Sequence, residues 1–152
     1  MQKALQKILT ASLWLSCLTL AAQESGNWRA VSNTARSITG DVALADEKIS
    51  INFMVFPIAR IRSLEKPEIS AVFNPESIAD ASGSLYRLDI PASKKFLHRN
   101  SLCGAEDTQW MVTYVSRRSL QIAFFSGQKP PLLTQDAISN STDLCGTFTY
   151  LK

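Results

Sequence analysis

WMVTYVSRRSLQIAFF, residues 110–125, reads as two extended segments folded back on a short polar turn. Aromatic and β-branched residues recur at a spacing of two on both sides of Arg117-Arg118-Ser119, which is the period of a strand and not of a helix. On this reading Trp110, Val112 and Tyr114 share the inward face of the first segment. Leu120, Ile122 and Phe124 face inward on the return.

The same alternation recurs on either side of this hairpin. Tyr86, Leu88 and Ile90 oppose Arg87 and Asp89, and near the C-terminus Phe148 and Tyr150 oppose Thr147 and Thr149. Upstream, Ile38, Gly40, Val42 and Leu44 fall on one face of a strand, Asp46-Glu47-Lys48 makes a polar stop, and Ile49, Ile51 and Phe53 fall on one face of the next. Residues 56–64 continue as a third extended segment, with Pro57 implying an edge or a bulge near its start. A first strand is expected around Trp28 to Val31. Residues 65–82 have no clean period and read as an irregular connection, with one helical turn after Asn74-Pro75.

About eight short strands and at most one helix predict an all-β fold: a single antiparallel β-barrel, or a barrel-like sandwich. The barrel is favoured because closure removes exposed strand edges, and its last strand would then pair with an early one. On this register Phe53, Trp110, Tyr114, Phe124, Phe148 and Tyr150 would line a pocket. At this strand number the same side chains can equally fill the lumen as core.

The N-terminus carries a different signal. MQKALQK, with Lys3 and Lys7, leads into the uncharged run ILTASLWLSCLTLAA and then into polar QESGN. That is the profile of a cleaved signal peptide, and the run is shorter than the roughly 20 apolar residues of a membrane span. Cleavage after Ala22 would leave residues 23–152 as a single β domain beginning at Gln23. Cys17 lies in this run behind Trp14, Leu15 and Ser16, which do not form a lipidation box, so no stable membrane anchor is expected after cleavage. Loss of Lys3 and Lys7 lowers the net charge of +3 by two. The remaining basic pairs, Lys94-Lys95 and Arg117-Arg118, do not make the basic stripe that nucleic-acid binding requires.

Of three cysteines, Cys103 and Cys145 remain after cleavage. In an exported chain two cysteines most simply form one disulfide, the alternative being two buried thiols. Closing a loop of about 43 residues is worth roughly 4 kcal/mol on the chain-entropy model. A zinc site would want three or four ligands, and His98 is the single histidine, so no metal is expected.

Catalytic constellations are also missing from the sequence. His98 has basic neighbours, no acid to orient it and no serine in a G-x-S-x-G turn. The pairs Glu106-Asp107 and Asp46-Glu47 lie where turns are expected, and adjacent residues of an extended chain point to opposite faces. No phosphate loop or dinucleotide fingerprint is present, so neither an enzyme nor a cofactor is expected.

Four segments, SITGDVAL at 37–44, LYRLDIP at 85–91, LCG at 102–104 and LCGTFTY at 144–150, resemble a group of small exported proteins of Gram-negative bacteria. The resemblance implies export, one domain and paired cysteines, and brings no activity with it. A second, shorter stretch, Ser82-Gly83-Ser84-Leu85-Tyr86, resembles the Ser-Gly-x-x-Tyr loop of the periplasmic inhibitors of C-type lysozyme, which are small β-barrels. That resemblance implies an inhibitory loop at Ser82, Gly83 and Tyr86, with Ser82 entering the enzyme cleft. The family's lysine, fourteen residues after the serine, is replaced here by Phe96, with Lys94 and Lys95 just short of it.

These observations lead to the expectation of an exported, non-catalytic binding or inhibitory module of the bacterial envelope, acting on a protein or a small apolar ligand. The alternatives are a structural or accessory envelope protein working through protein contacts at residues 65–82 or 128–143, and an inhibitor of C-type lysozyme.

Overall fold

A computed structural model describes residues 24–152; the expected signal segment, Cys17 and Gln23 lie outside the described residues. Eight antiparallel strands close into a barrel in simple sequence order. They are β1 (Gly26–Ala30), β2 (Val42–Ala45), β3 (Lys48–Ile51), β4 (Met54–Ser63), β5 (Ser82–Ile90), β6 (Thr108–Ser116), β7 (Ser119–Phe125) and β8 (Leu144–Leu151). The seam closes where Arg29 and Ala30 of β1 pair with Leu151 and Tyr150 of β8. The expected barrel is therefore the observed one, down to the last strand lying beside an early strand.

Three helices decorate it: α1 (Asn33–Ile38), α2 (Lys66–Phe73) and α3 (Gln135–Ser139). α1 replaces the first part of an expected strand, so Ile38 is helical and Gly40 turns the chain at φ 63° before β2 begins at Val42. Local capping explains this, because the Ser32 hydroxyl accepts the Ala35 N–H and satisfies one of the helix's orphan donors. α2 likewise precedes Asn74-Pro75 and does not follow it. Glu65 and Glu68 form a capping box, a proline sits in the first turn, and Asn74 ends the helix in the left-handed region at φ 43°.

The barrel interior is filled by Trp28, Leu44, Ile49, Ile51, Phe56, Leu88, Ile90, Met111, Leu120, Ile122, Phe124, Phe148 and Tyr150, all in one buried cluster. A second core lies outside the wall, where α2 and the segment around Leu133 cover Leu85, Trp110, Val112, Ala123 and Phe125. β6 is consequently buried on both faces. This reverses the expected inward face of that strand: Met111 and Val115 point into the lumen, whereas Trp110 and Val112 point out into the second core. Tyr114 also faces outward, its ring 5.6 Å from that of Phe73 on α2. WMVTYV is apolar on both faces, so alternation alone does not say which side is inside.

Gly83 on β5 has a packing reason of its own. A Cβ there would overlap the backbone carbonyl oxygen of Thr113 and stand 3.0 Å from a Leu64 methyl. Gly83→Ala is therefore expected to cost about 1–3 kcal/mol by overpacking, measured as a lowered urea midpoint; an unchanged midpoint would mean that β5 and β6 are not so closely apposed.

One disulfide joins Cys103, in the connection between β5 and β6, to Cys145 at the start of β8, with Cα atoms 4.9 Å apart. It ties the long loop at one end of the barrel to the closing strand.

Candidate functional site

The six aromatic residues expected on the inner face separate into three groups. Phe124, Phe148 and Tyr150 are in the lumen, where the first two meet edge to face with centroids 5.4 Å apart, and Tyr150 shares a 2.8 Å hydrogen bond with Thr39. Trp110 and Tyr114 are outside the wall. Phe53 is not on a strand at all: it occupies the turn between β3 and β4 and is 99% exposed.

At the end of the barrel where β5 starts, a polar cluster closes the lumen. The Glu24 side chain is buried and accepts hydrogen bonds from the Ser84 hydroxyl at 3.1 Å and the Tyr86 hydroxyl at 2.5 Å. Arg60 Nε in turn donates to Ser84 Oγ at 3.0 Å, and the Trp28 indole N–H donates to the Glu24 backbone carbonyl at 2.8 Å. Every member has a partner, so the cluster reads as a polar seal of the barrel end. Ser82 begins β5 with its hydroxyl buried and without a hydrogen-bond partner, and Tyr86 is buried in the lumen cluster. The Ser-Gly-x-x-Tyr stretch is thus a strand of the barrel wall, with Gly83 packed against β6.

Burial, reinforced by the Glu24 charge, raises the pKa of the Tyr86 hydroxyl, and burial raises that of Tyr150 against the opposing hydrogen bond of Thr39. Both stay neutral in the folded protein above pH ~10, where tyrosine in an unfolded chain ionises. The unfolded state then holds fewer protons than the folded one, so stability is intact below about pH 10 and falls as pH rises above it, by up to ~1.4 kcal/mol per pH unit for each tyrosine. Urea midpoints at pH 8, 10 and 11 should be flat between the first two and drop at the third; a midpoint that rises at the third would contradict the burial of both hydroxyls.

The outer face of β1, β2 and β3 is built differently. Asn27 of β1 pairs across to Ala43 of β2, which pairs to Ser50 of β3, so these three form one row on the outside of the barrel. The small side chains of Ala43 and Ser50 leave a depression of about 720 Å³, lined also by Arg29, Asp41, Asn52, Phe53 and Leu151. One oxygen of Asp41 accepts the Ala30 N–H at 2.9 Å, which fixes the carboxylate at the groove's edge. Lys152 lies over the Trp28 ring at 4.7 Å.

Phe53 forms the rim of this groove in an unusual backbone state. Ile51 pairs with Met54, leaving Asn52 and Phe53 as a two-residue turn with φ of 47° and 65°. Such a turn favours Asn-Gly, and a bulky residue in the left-handed region costs about 1–3 kcal/mol. Neither burial nor ring contact offsets that cost, because the ring is in solvent. Val55 beside it is 61% exposed.

His98 belongs to a clamp on α1. Its Nδ1 stands 3.2 Å from the Ser37 carbonyl, which can only accept, so Nδ1 carries the hydrogen; the Asn100 amide donates to the same oxygen at 3.1 Å. His98 and Arg99 both have positive φ in the 3-10 turn Leu97–Arg99. Among the described residues no group of three His, Cys, Asp or Glu side chains is placed to hold a metal ion.

Comparison of the chain with protein-family models, with curated proteins and with solved structures finds no match. The site is therefore argued from its own geometry. Sequence reading missed Glu24, which stood in a polar stretch with nothing to mark burial, and the groove residues Asn27, Arg29, Ser50 and Asn52, which looked like ordinary solvated strand and turn residues. A signal was available for Phe53: Asn52 between two apolar strand ends is a turn former, which places its neighbour off the strand.

Proposed function

We propose that this protein is an exported, non-catalytic binding module of the bacterial envelope that engages its partner through the outer wall of the barrel. The single observation that carries this reading is Phe53, a fully exposed aromatic ring held on a strained turn beside a groove in the outer wall. Strain kept at an exposed position is a reason to look for function there. A carrier of small apolar ligands would place its aromatic residues around a cavity, whereas here Phe124, Phe148 and Tyr150 pack as core. The disulfide suits a protein working in an oxidising compartment, and the signal-peptide profile supplies the route.

Immobilised protein exposed to a soluble envelope extract of a Gram-negative bacterium tests this. Material retained by the wild-type column, assayed as protein, sugar and lipid phosphate, should fall at least about tenfold on a Phe53→Ala column. Equal retention on the two columns, or none on either, would remove Phe53 as the point of contact.

A further inference from the structure

The groove behind Phe53 has a lining chemistry that points to one class of occupant. Its polar members are two carboxamides, Asn27 and Asn52, two cations, Arg29 and Lys152, a carboxylate, Asp41, and two hydroxyls, Thr39 and Ser50. Carboxamides, guanidinium and carboxylate are planar groups that offer or accept paired hydrogen bonds. Small side chains at Ala43 and Ser50 keep the floor low, so a flat ligand can reach the strands. Of its two aromatic residues Trp28 is buried, and Phe53 stands exposed at the rim, where it presents a face and not a pocket.

A purely apolar occupant fits this lining poorly. A wholly apolar molecule would desolvate these polar side chains without offering them a hydrogen bond.

A pyranose ring has the complementary surfaces: an axial C–H face that packs on an aromatic plane, and a rim of vicinal hydroxyls that pairs with planar polar groups. Neighbouring strands are about 4.8 Å apart, close to the advance of one sugar along a linear chain. Asn27 and Ser50, two strands apart in one row and so roughly 9.6 Å from each other, therefore match groups on sugars two positions apart.

We propose that the outer face of β1, β2 and β3 binds a linear oligosaccharide, with one sugar stacked on Phe53 and the following ones hydrogen-bonded by Asn27, Ser50, Asn52, Asp41 and Arg29. This inference rests on the reading of Phe53 as the contact point. The two carboxamides also pair in both directions with an acetamido group, so an amino-sugar chain is favoured over a plain glucan.

Calorimetric titration with the tetramers of N-acetylglucosamine and of β-1,4-linked glucose tests it, using the full protein purified from an oxidising compartment. The acetamido tetramer should bind with a millimolar or lower Kd and more tightly than the glucose tetramer, and Phe53→Ala and Asn52→Ala should each weaken it by at least about tenfold. Phe53→Gly separates recognition from folding. Glycine accepts the left-handed turn, so the melting temperature should rise by roughly 3 °C while binding is lost.

Absence of binding by both tetramers at millimolar concentration overturns the proposal, as does binding that survives both alanine variants. The two readings fail separately. If neither tetramer binds but retention from the envelope extract still depends on Phe53, the oligosaccharide assignment falls and the contact face stands; if that retention is also independent of Phe53, both fall.

Discussion

Phe124→Ala is expected to destabilise the barrel by about 3–5 kcal/mol. The ring is fully buried in the lumen, packed edge to face on Phe148 and opposite Met111 of β6. Truncation removes its burial, the aromatic pairing worth about 0.5–1.5 kcal/mol, and leaves a void between strands that cannot collapse without distorting the closed sheet. A lumen evolved to hold a ligand would behave differently, since its aromatic side chains already face empty or solvated space. Equilibrium urea unfolding measures the difference. A loss below about 1 kcal/mol would show that the lumen is a cavity and return the interior to consideration as a binding site.

Replacing both cysteines by serine, Cys103→Ser with Cys145→Ser, is expected to cost about 4 kcal/mol, a large share of the 5–15 kcal/mol that holds a typical domain. The bond spans a sequence separation of 42 residues and includes β6 and β7 within its loop. Its removal enlarges the unfolded ensemble and frees the connection containing Cys103 from β8. The Thr108 hydroxyl, 3.2 Å from Cys103 Sγ, loses that neighbour as well. Thermal melts of oxidised, reduced and double-serine protein should show the last two alike and both well below the first. Thiol titration of the native oxidised domain should find neither Cys103 nor Cys145 reactive, and two reactive thiols would contradict the bridge.

The strand framework was legible because most strands here obey period two with one face polar. Tyr86-Leu88-Ile90 against Arg87 and Asp89, and Phe148-Tyr150 against Thr147 and Thr149, are found on the faces expected of them. β6 failed that logic for a physical reason. It is covered on both sides, so Trp110, Val112 and Tyr114 alternate with equally buried Met111, Thr113 and Val115, and neither set declares itself inward. α1 and α2 were missed because each is short and owes its position to caps, Ser32 in one and the Glu65–Glu68 box in the other, more than to an amphipathic face.

The candidate site was the least legible part. Phe53 continues the alternation of Ile49 and Ile51 in sequence, and only the two-residue turn lifts it out of register. Asn27, Arg29, Ser50 and Asn52 become a group only once β1, β2 and β3 are paired, because register brings together residues more than twenty positions apart. Glu24 is similar: its partners Ser84 and Tyr86 are 60 and 62 residues away. A polar residue buried by long-range contacts has no local mark.

The central claim is that this barrel works through its outer wall and not through its lumen. Isotope-edited NMR of the labelled protein, titrated with the soluble envelope extract, tests it most directly. Shifts concentrated at Asn27, Arg29, Ser50, Asn52 and Phe53, with Ile122, Phe124 and Phe148 unmoved, are the predicted result. Shifts concentrated at Ile122, Phe124 and Phe148, with the β1–β3 face silent, would contradict it.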